Sequence, residues 1–291
     1  MCNNGDKEFV MANVQLSLFE QLQRETPDLP DEALIRRLSE RILAEAEAAP
    51  PVSVELLASL RGIVRVERHE QPWAGVLLPS LEGLVVRLRD SDSYERQRFT
   101  ICHELSHTLF PGFSDSFQYR CNGKRTKLES RCDLVASELL LPRRFFQPDL
   151  LSAGFGLLAV EDLAARYEAS IEATARRAVD LWPEPAALLV LRRRNKPSEE
   201  GREAECEPKL RLDYSHVNGN WPYLRRHKSV NGDSPLLRAF AGEDVREIGT
   251  VDELVSSGIG PVEIHARPYG KNRRVLALVR PIHPEQLNGG H

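Results

Sequence analysis

The sequence predicts an α+β protein built as two successive modules, and three observations carry that prediction. Three short β-rich runs, Ile63–Val66, Gly75–Leu78 and Gly83–Leu88, precede a helix with apolar positions on two sides. Pro183 and Pro185 then break a long helical stretch. Beyond them, strong strands at Ala187–Leu191 and Arg274–Arg280 and alternating runs at Leu210–Tyr214 and Val262–Ala266 form a second, strand-rich unit.

In chain order, residues 1–30 read as weakly ordered apart from an amphipathic patch at Val14–Leu22. Pro30-Asp31-Glu32 opens a helix to about Ala48, which Pro50-Pro51 ends, and Val54–Leu60 is a further short helix. After the three strands, Asp92 is the expected N-cap of a helix with Glu95 at its third position, and Pro111-Gly112 stops it. A second helix runs from about Thr126 to Leu141, closed by Pro142. Leu158–Leu181 reads as two short helices broken near Ala169-Ser170. Such a pair resembles a helix-turn-helix but describes any tight helical hairpin. Arg176 and Arg177 are too few to argue for DNA, so a structural or partner-docking role is favoured. Pro197–Pro208 is polar and loop-like, and Pro235–Phe240 is a short helix. The expected domains are 1–30, 31–157, 158–182 and 183–291.

The chemistry lies in His103-Glu104-Leu105-Ser106-His107. Residues four apart lie one helical turn above each other, so both imidazoles can reach one ion while Glu104 handles the proton of a water. This is the His-Glu-x-x-His pattern of zinc metalloproteases. The bland alternative, two core histidines satisfied by backbone groups, leaves Glu104 without a role. A small sheet ahead of such a helix suits a zincin-like peptidase, which holds an extended substrate by strand addition.

A catalytic site of this type wants a third protein ligand. The next helix offers Glu129, Asp133 and Glu138, with Leu128, Cys132, Val135, Ala136, Leu139 and Leu140 on its buried face. Glu129 and Asp133 share a border of that face one turn apart. Glu138, nine residues from Glu129, is half a turn out of phase and is expected to face solvent. Glu129 is therefore the expected ligand, and Asp133 an acceptor for the ring N–H of a ligand histidine. An exposed helix-start acid is the alternative for Glu129. Zinc is the default ion, and the N/O ligand set also accepts manganese.

The stretch Arg96–Thr100 leading into the pentapeptide, together with Glu129–Pro142, resembles the ImmA/IrrE metallo-endopeptidases. The resemblance covers roughly residues 50–180. It implies metal roles for His103, His107 and Glu129 and the catalytic base role for Glu104. Leu141 stands where that family usually has Met, a volume-conserving change, and Asp133 where it usually has Asn, an added negative charge. The family further implies a restricted endopeptidase that cuts a helix-turn-helix repressor and so derepresses stress, mobile-element or phage-defence genes. Long members end in a GAF-like sensor module, the expectation for 183–291. The competing class is a metal-stabilised sensor or DNA-binding regulator that sequesters a partner without cutting it.

A net charge of −4 and a pI near 6.1 argue against a chain that coats nucleic acid or a membrane. No stretch has transmembrane length, no signal peptide is visible, and five irregularly spaced cysteines make no disulfide framework, which points to a reducing cytoplasm. Between the two helices, Tyr119 is a candidate oxyanion donor. Cys121, beside Arg120 and Lys124, is a candidate thiolate switch ligand, with an ordinary loop cysteine as its alternative; Cys102 and Cys132 belong to the core. In the C-terminal module Trp221, Tyr223, Arg225, Arg226 and Lys228 lie close in sequence, as do Lys271, Arg273 and Arg274. They are candidates for a groove that binds single-stranded nucleic acid or a small-molecule activator, against the alternative of solvated loop segments.

Overall fold

The computed structural model describes residues 16–113, 126–199, 201, 206–270 and 274–282. It is a mixed α+β structure with two sheets, and it divides into two compact units. The first comprises Met1–Ala48, Ser53–Ser93 and Gln97–Leu139; the second comprises Ala49–Val52, Tyr94–Arg96 and Leu140–His291.

The first unit opens with α1 (Leu18–Glu25), inside the region expected to be weakly ordered. A capping box holds it: the Glu20 N–H donates to Ser17 Oγ, and Ser17 N–H donates back to Glu20. Phe19 and Leu22 are buried, and the Phe19 N–H donates to the Leu109 carbonyl. Arg131 lies 4.7 Å from the Phe19 ring centroid and pairs with Asp31. Eight residues would not hold a helix alone; these tertiary contacts do. α2 (Asp31–Glu45) buries Leu34, Ile35, Leu38, Ile42 and Leu43, and α3 (Val54–Leu60) packs on the sheet that follows.

That sheet has the order β1-β3-β2, with β1 (Ile63–His69) parallel to β3 (Leu84–Arg89) and β2 (Gly75–Pro79) antiparallel to it. β2 is therefore an edge strand. α4 (Tyr94–His107) starts two residues after Asp92, so Ser93 occupies the capping position. The Asp92 carboxylate accepts from Arg89 Nε at 3.1 Å. Ile101, Cys102, Leu105, Ser106 and His107 are buried, as a helix apolar on two sides requires. α5 (Lys127–Leu140) buries Cys132, Val135, Ala136 and Leu139 completely.

In the second unit α6 (Arg143–Ala153), unforeseen from the sequence because Pro148 lies inside it, is followed by α7 (Leu157–Tyr167) and α8 (Ile171–Leu181). Phe146 and Tyr167 stack edge-on at 5.2 Å, and the Tyr167 hydroxyl donates to Asp149 at 2.6 Å. The sheet is antiparallel throughout, order β5-β4-β8-β7-β6: β4 (Ala186–Arg194), β5 (Lys209–Asn218), β6 (Val245–Gly249), β7 (Val262–Tyr269) and β8 (Arg274–Pro281). β4 is buried continuously from Ala186 to Leu191, so both faces of the sheet are covered at this strand. One face packs with α9 (Pro235–Ala241) around Leu189, Ile264, Ala277 and Leu236. α8 packs against β4 and β5.

Candidate metal centre

α4 sets His103 and His107 one turn apart, with ring centroids 5.1 Å from each other. α5 brings the Glu129 carboxylate between them: Oε2 lies 3.0 Å from His103 Nε2, and Oε1 lies 3.7 Å from His107 Nε2. The three ligating atoms lie within 4.8 Å of one another. A tetrahedral zinc ion with bonds of about 2.0–2.1 Å keeps its ligand atoms about 3.3 Å apart. The separations to the two carboxylate oxygens bracket that value, so this donor set has the spacing and chemistry of a divalent-ion site.

His103 is oriented from behind. Its Nδ1 lies 2.9 Å from Asp133 Oδ1, which leaves Nε2 for the Glu129 side. Burial disfavours charge on this imidazole, but its bonds to Asp133 and Glu129 outweigh burial and push the pKa up to about 9. The protonated ring donates to Asp133 through Nδ1 and to Glu129 through Nε2.

Glu104 is only 5% exposed. β2 passes close beside it. A Cβ built on Gly75 would stand 3.4 Å from Glu104 Oε1 and 2.2 Å from Thr100 Cγ2, so only glycine lets the strand approach α4 this closely. Sequence reading did not pick out Gly75. Its signal was present: a glycine opening a β-run commonly marks a close approach of two backbones.

Glu138 corrects an expectation. It is half a turn from Glu129, yet only 4% exposed, and its Oε1 lies 3.6 Å from Arg36 Nε of α2. The helical phase was right, but the opposite face of α5 meets another helix rather than water. Cys102 and Cys132 lie in the core, and burial pushes the Cys102 thiol up to about 12. Tyr119, Cys121, Lys271 and Arg273 lie outside the described residues.

Of the remaining candidates for a nucleic-acid groove, Tyr223, Arg225, Arg226 and Lys228 are exposed and Trp221 and Arg274 half-buried. Trp221 packs against the core of the C-terminal sheet. Arg226 Nε donates to the Asp213 carbonyl at 2.8 Å, Arg225 Nη2 donates to Ser256 O at 3.3 Å, and Arg274 pairs with Glu172. The polar side chains of α8 also have partners: Tyr214 donates to Glu172, Arg176 lies 4.6 Å from the Tyr214 ring, and His216 Nε2 is 2.6 Å from Asp180. The second helix of the helix-turn-helix-like pair packs on β4 and β5, with Arg176 and Asp180 exposed.

Residues 63–179 match the family model described as the IrrE N-terminal-like domain of the M78 peptidases. The radiation response metalloprotease IrrE of Deinococcus radiodurans is 26% identical over 233 residues, covering 75% of this chain and 70% of that protein. The protein of the same name from Deinococcus deserti is 31% identical over 94 residues, about a third of each (31% of this chain, 34% of that protein). A solved Mycobacterium tuberculosis transcriptional regulator shares the fold, with a TM-score of 0.55 at 15% identity over 91% of this chain and 82% of that one. Among the described residues no helix is long and apolar enough to cross a membrane.

Proposed function

From a chain that belongs to the ImmA/IrrE metallopeptidase family through residues 63–179, we propose a metal-dependent endopeptidase that cuts a helix-turn-helix transcriptional repressor. The observation that carries the reading is the convergence of His103, His107 and Glu129 beside a buried Glu104 and an edge strand.

His103, His107 and Glu129 hold the ion, zinc by default and manganese as the other acceptable metal. When bound, it supplies Lewis-acid polarisation of water and of the peptide carbonyl. Glu104 accepts the proton from the attacking water and returns it to the leaving amine. Asp133 keeps His103 in one tautomer and orientation. The edge of β2 receives the substrate as an added strand that ends beside Glu104. Expression of stress, mobile-element or phage-defence genes follows from loss of the repressor. The strand-rich unit beyond residue 183 is read as the GAF-like sensor that gates cutting, in a protein of the cytoplasm.

The test is incubation of the full chain with purified helix-turn-helix repressor proteins of its own organism, with and without a chelator. Chelator-sensitive scission by wild type, absent in Glu104→Gln with zinc content unchanged, supports the reading. Stable complex formation without scission favours the sequestering alternative. The packing of α8 on β4 and β5 counts against a DNA-reading role for residues 158–181.

A further inference from the structure

We infer that Trp73 and Leu81 are substrate-specificity residues, two apolar contacts flanking the open edge of β2; the inference rests on the peptidase reading above. The edge itself can be phased. Arg89 N–H donates to Ala74 O at 2.9 Å, and Ser80 N–H donates to Gly83 O at 2.7 Å, so the 74/89 and 80/83 pairs are bonded. Antiparallel pairs alternate between bonded and non-bonded. With Gly75 opposite Leu88 and Leu77 opposite Val86, Gly75 and Leu77 therefore turn N–H and C=O to the open side, and Pro79 turns a lone C=O there. Among the described residues no hydrogen-bond partner meets these groups. The chemistry that satisfies such a row is an extended polypeptide.

The catalytic end of this edge is Gly75, because its built Cβ lies 3.4 Å from Glu104 Oε1. Two residues before it, Trp73 is 55% exposed; two residues beyond Pro79, Leu81 is fully exposed. Large apolar side chains are out of place in tight connections, where glycine and small polar residues dominate. Both are carried on fixed backbone. Gln71 Nε2 donates to Trp73 O at 3.2 Å, and Arg89 Nη1 donates to Pro72 O at 3.1 Å. Arg89 in turn holds Asp92 through Nε at 3.1 Å and Nη2 at 3.3 Å, which fastens the Trp73 loop to the start of α4. Around Leu81, Ser80 Oγ donates to Gly83 O at 2.8 Å and accepts from the Glu82 N–H at 3.3 Å. An exposed indole on a pinned loop loses little freedom on binding and is the kind of anchor that dominates recognition.

The substrate class that fits is an extended protein segment with a large apolar side chain next to the scissile bond on the Trp73 side. β2 spans about 14 Å and the two apolar residues lie two positions beyond its ends, so a second apolar side chain, roughly six to eight residues along, meets Leu81. Pro79 offers no N–H, which ends the strand pairing there.

The probe is a degenerate decapeptide library, digested by full-length wild type, Trp73→Ala and Leu81→Ser, with the products sequenced by mass spectrometry. In parallel, immobilised Glu104→Gln and the Glu104→Gln/Trp73→Ala double variant retain peptides from the same library. Wild type is expected to favour Leu, Phe, Met or Trp at one position beside the cut. Trp73→Ala should lose that preference by about tenfold, while peptides with alanine there are cut as before; Leu81→Ser should relax the distant position only. Unchanged preferences in both variants, or a loss falling equally on every peptide, overturn the inference. If wild type cuts nothing, the peptidase reading fails. The retention arm then still decides, because identical or empty retained sets from the two Glu104 variants remove any role for Trp73.

Discussion

Replacing Asp133 by alanine removes the carboxylate that lies 2.9 Å from His103 Nδ1 without touching a metal ligand. Loss of such an outer partner costs about 10–100-fold in metal affinity, or about 1.4–2.7 kcal/mol. The Asp133 side chain is 34% exposed, so water can take over part of its bond, and the lower end of that range applies. The expectation is thus about tenfold weaker zinc binding for Asp133→Ala. Asp133→Asn keeps an oxygen acceptor and loses only the charge, so it should fall between the two. Zinc affinity is measured on the full chain by competition with a fluorescent chelator at neutral pH, with Glu129→Ala as the reference for a lost ligand. Melting of the metal-free proteins checks that the fold is retained. Wild-type affinity in Asp133→Ala would refute the positioning role. An affinity as poor as that of Glu129→Ala would refute it in the other direction, by making Asp133 a direct ligand.

Gly75→Ala should cost about 1–3 kcal/mol and depress peptide cleavage while leaving zinc content intact, because the new Cβ would meet Thr100 Cγ2 at 2.2 Å beside Glu104. Urea unfolding and turnover measure the two effects, and an equally stable, fully active variant would count against the close approach of β2. Glu138→Ala should destabilise the fold with zinc affinity unchanged. Breaking a buried pair costs about 3–5 kcal/mol. Arg36 is 41% exposed and also reaches Glu32 at 3.5 Å, so a loss of about 1–2 kcal/mol is expected; a wild-type urea midpoint would overturn it. The hydrogen bond from Arg131 holds the Asp31 carboxyl below its ordinary range, against a smaller opposing effect of burial. A carboxyl depressed in the folded state contributes stability above its unfolded pKa, near 3.9, and loses that contribution as pH falls through the folded value. Asp31→Ala should therefore flatten the decline of the urea midpoint below about pH 4; an unchanged acid limb would exclude the pair as its source.

The local pattern of the sequence determined the elements that carry the chemistry. Helical period alone sets His103 and His107 on one face, and the alternation of apolar residues marks three strands ahead of them. The same period separates Glu129 from Glu138, because phase is a property of one helix. What phase meets is a property of two. Only the tertiary structure decided that the far side of α5 faces Arg36 instead of water, and that of the two histidines it is His103 that Asp133 meets. It also decided that α8 lies on the C-terminal sheet with Glu172 and Asp180 occupied, a fate no spacing of Arg176 and Arg177 could reveal. α1 and α6 were hidden for a related reason. An eight-residue helix and a helix containing Pro148 are both marginal by propensity, and both are held by long-range contacts, Phe19 to Leu109 in one and Phe146 to Tyr167 in the other. Gly75 joins the two levels. The sequence displays a glycine in a strand, and only the packed helix shows that its missing side chain is the room through which β2 reaches Glu104.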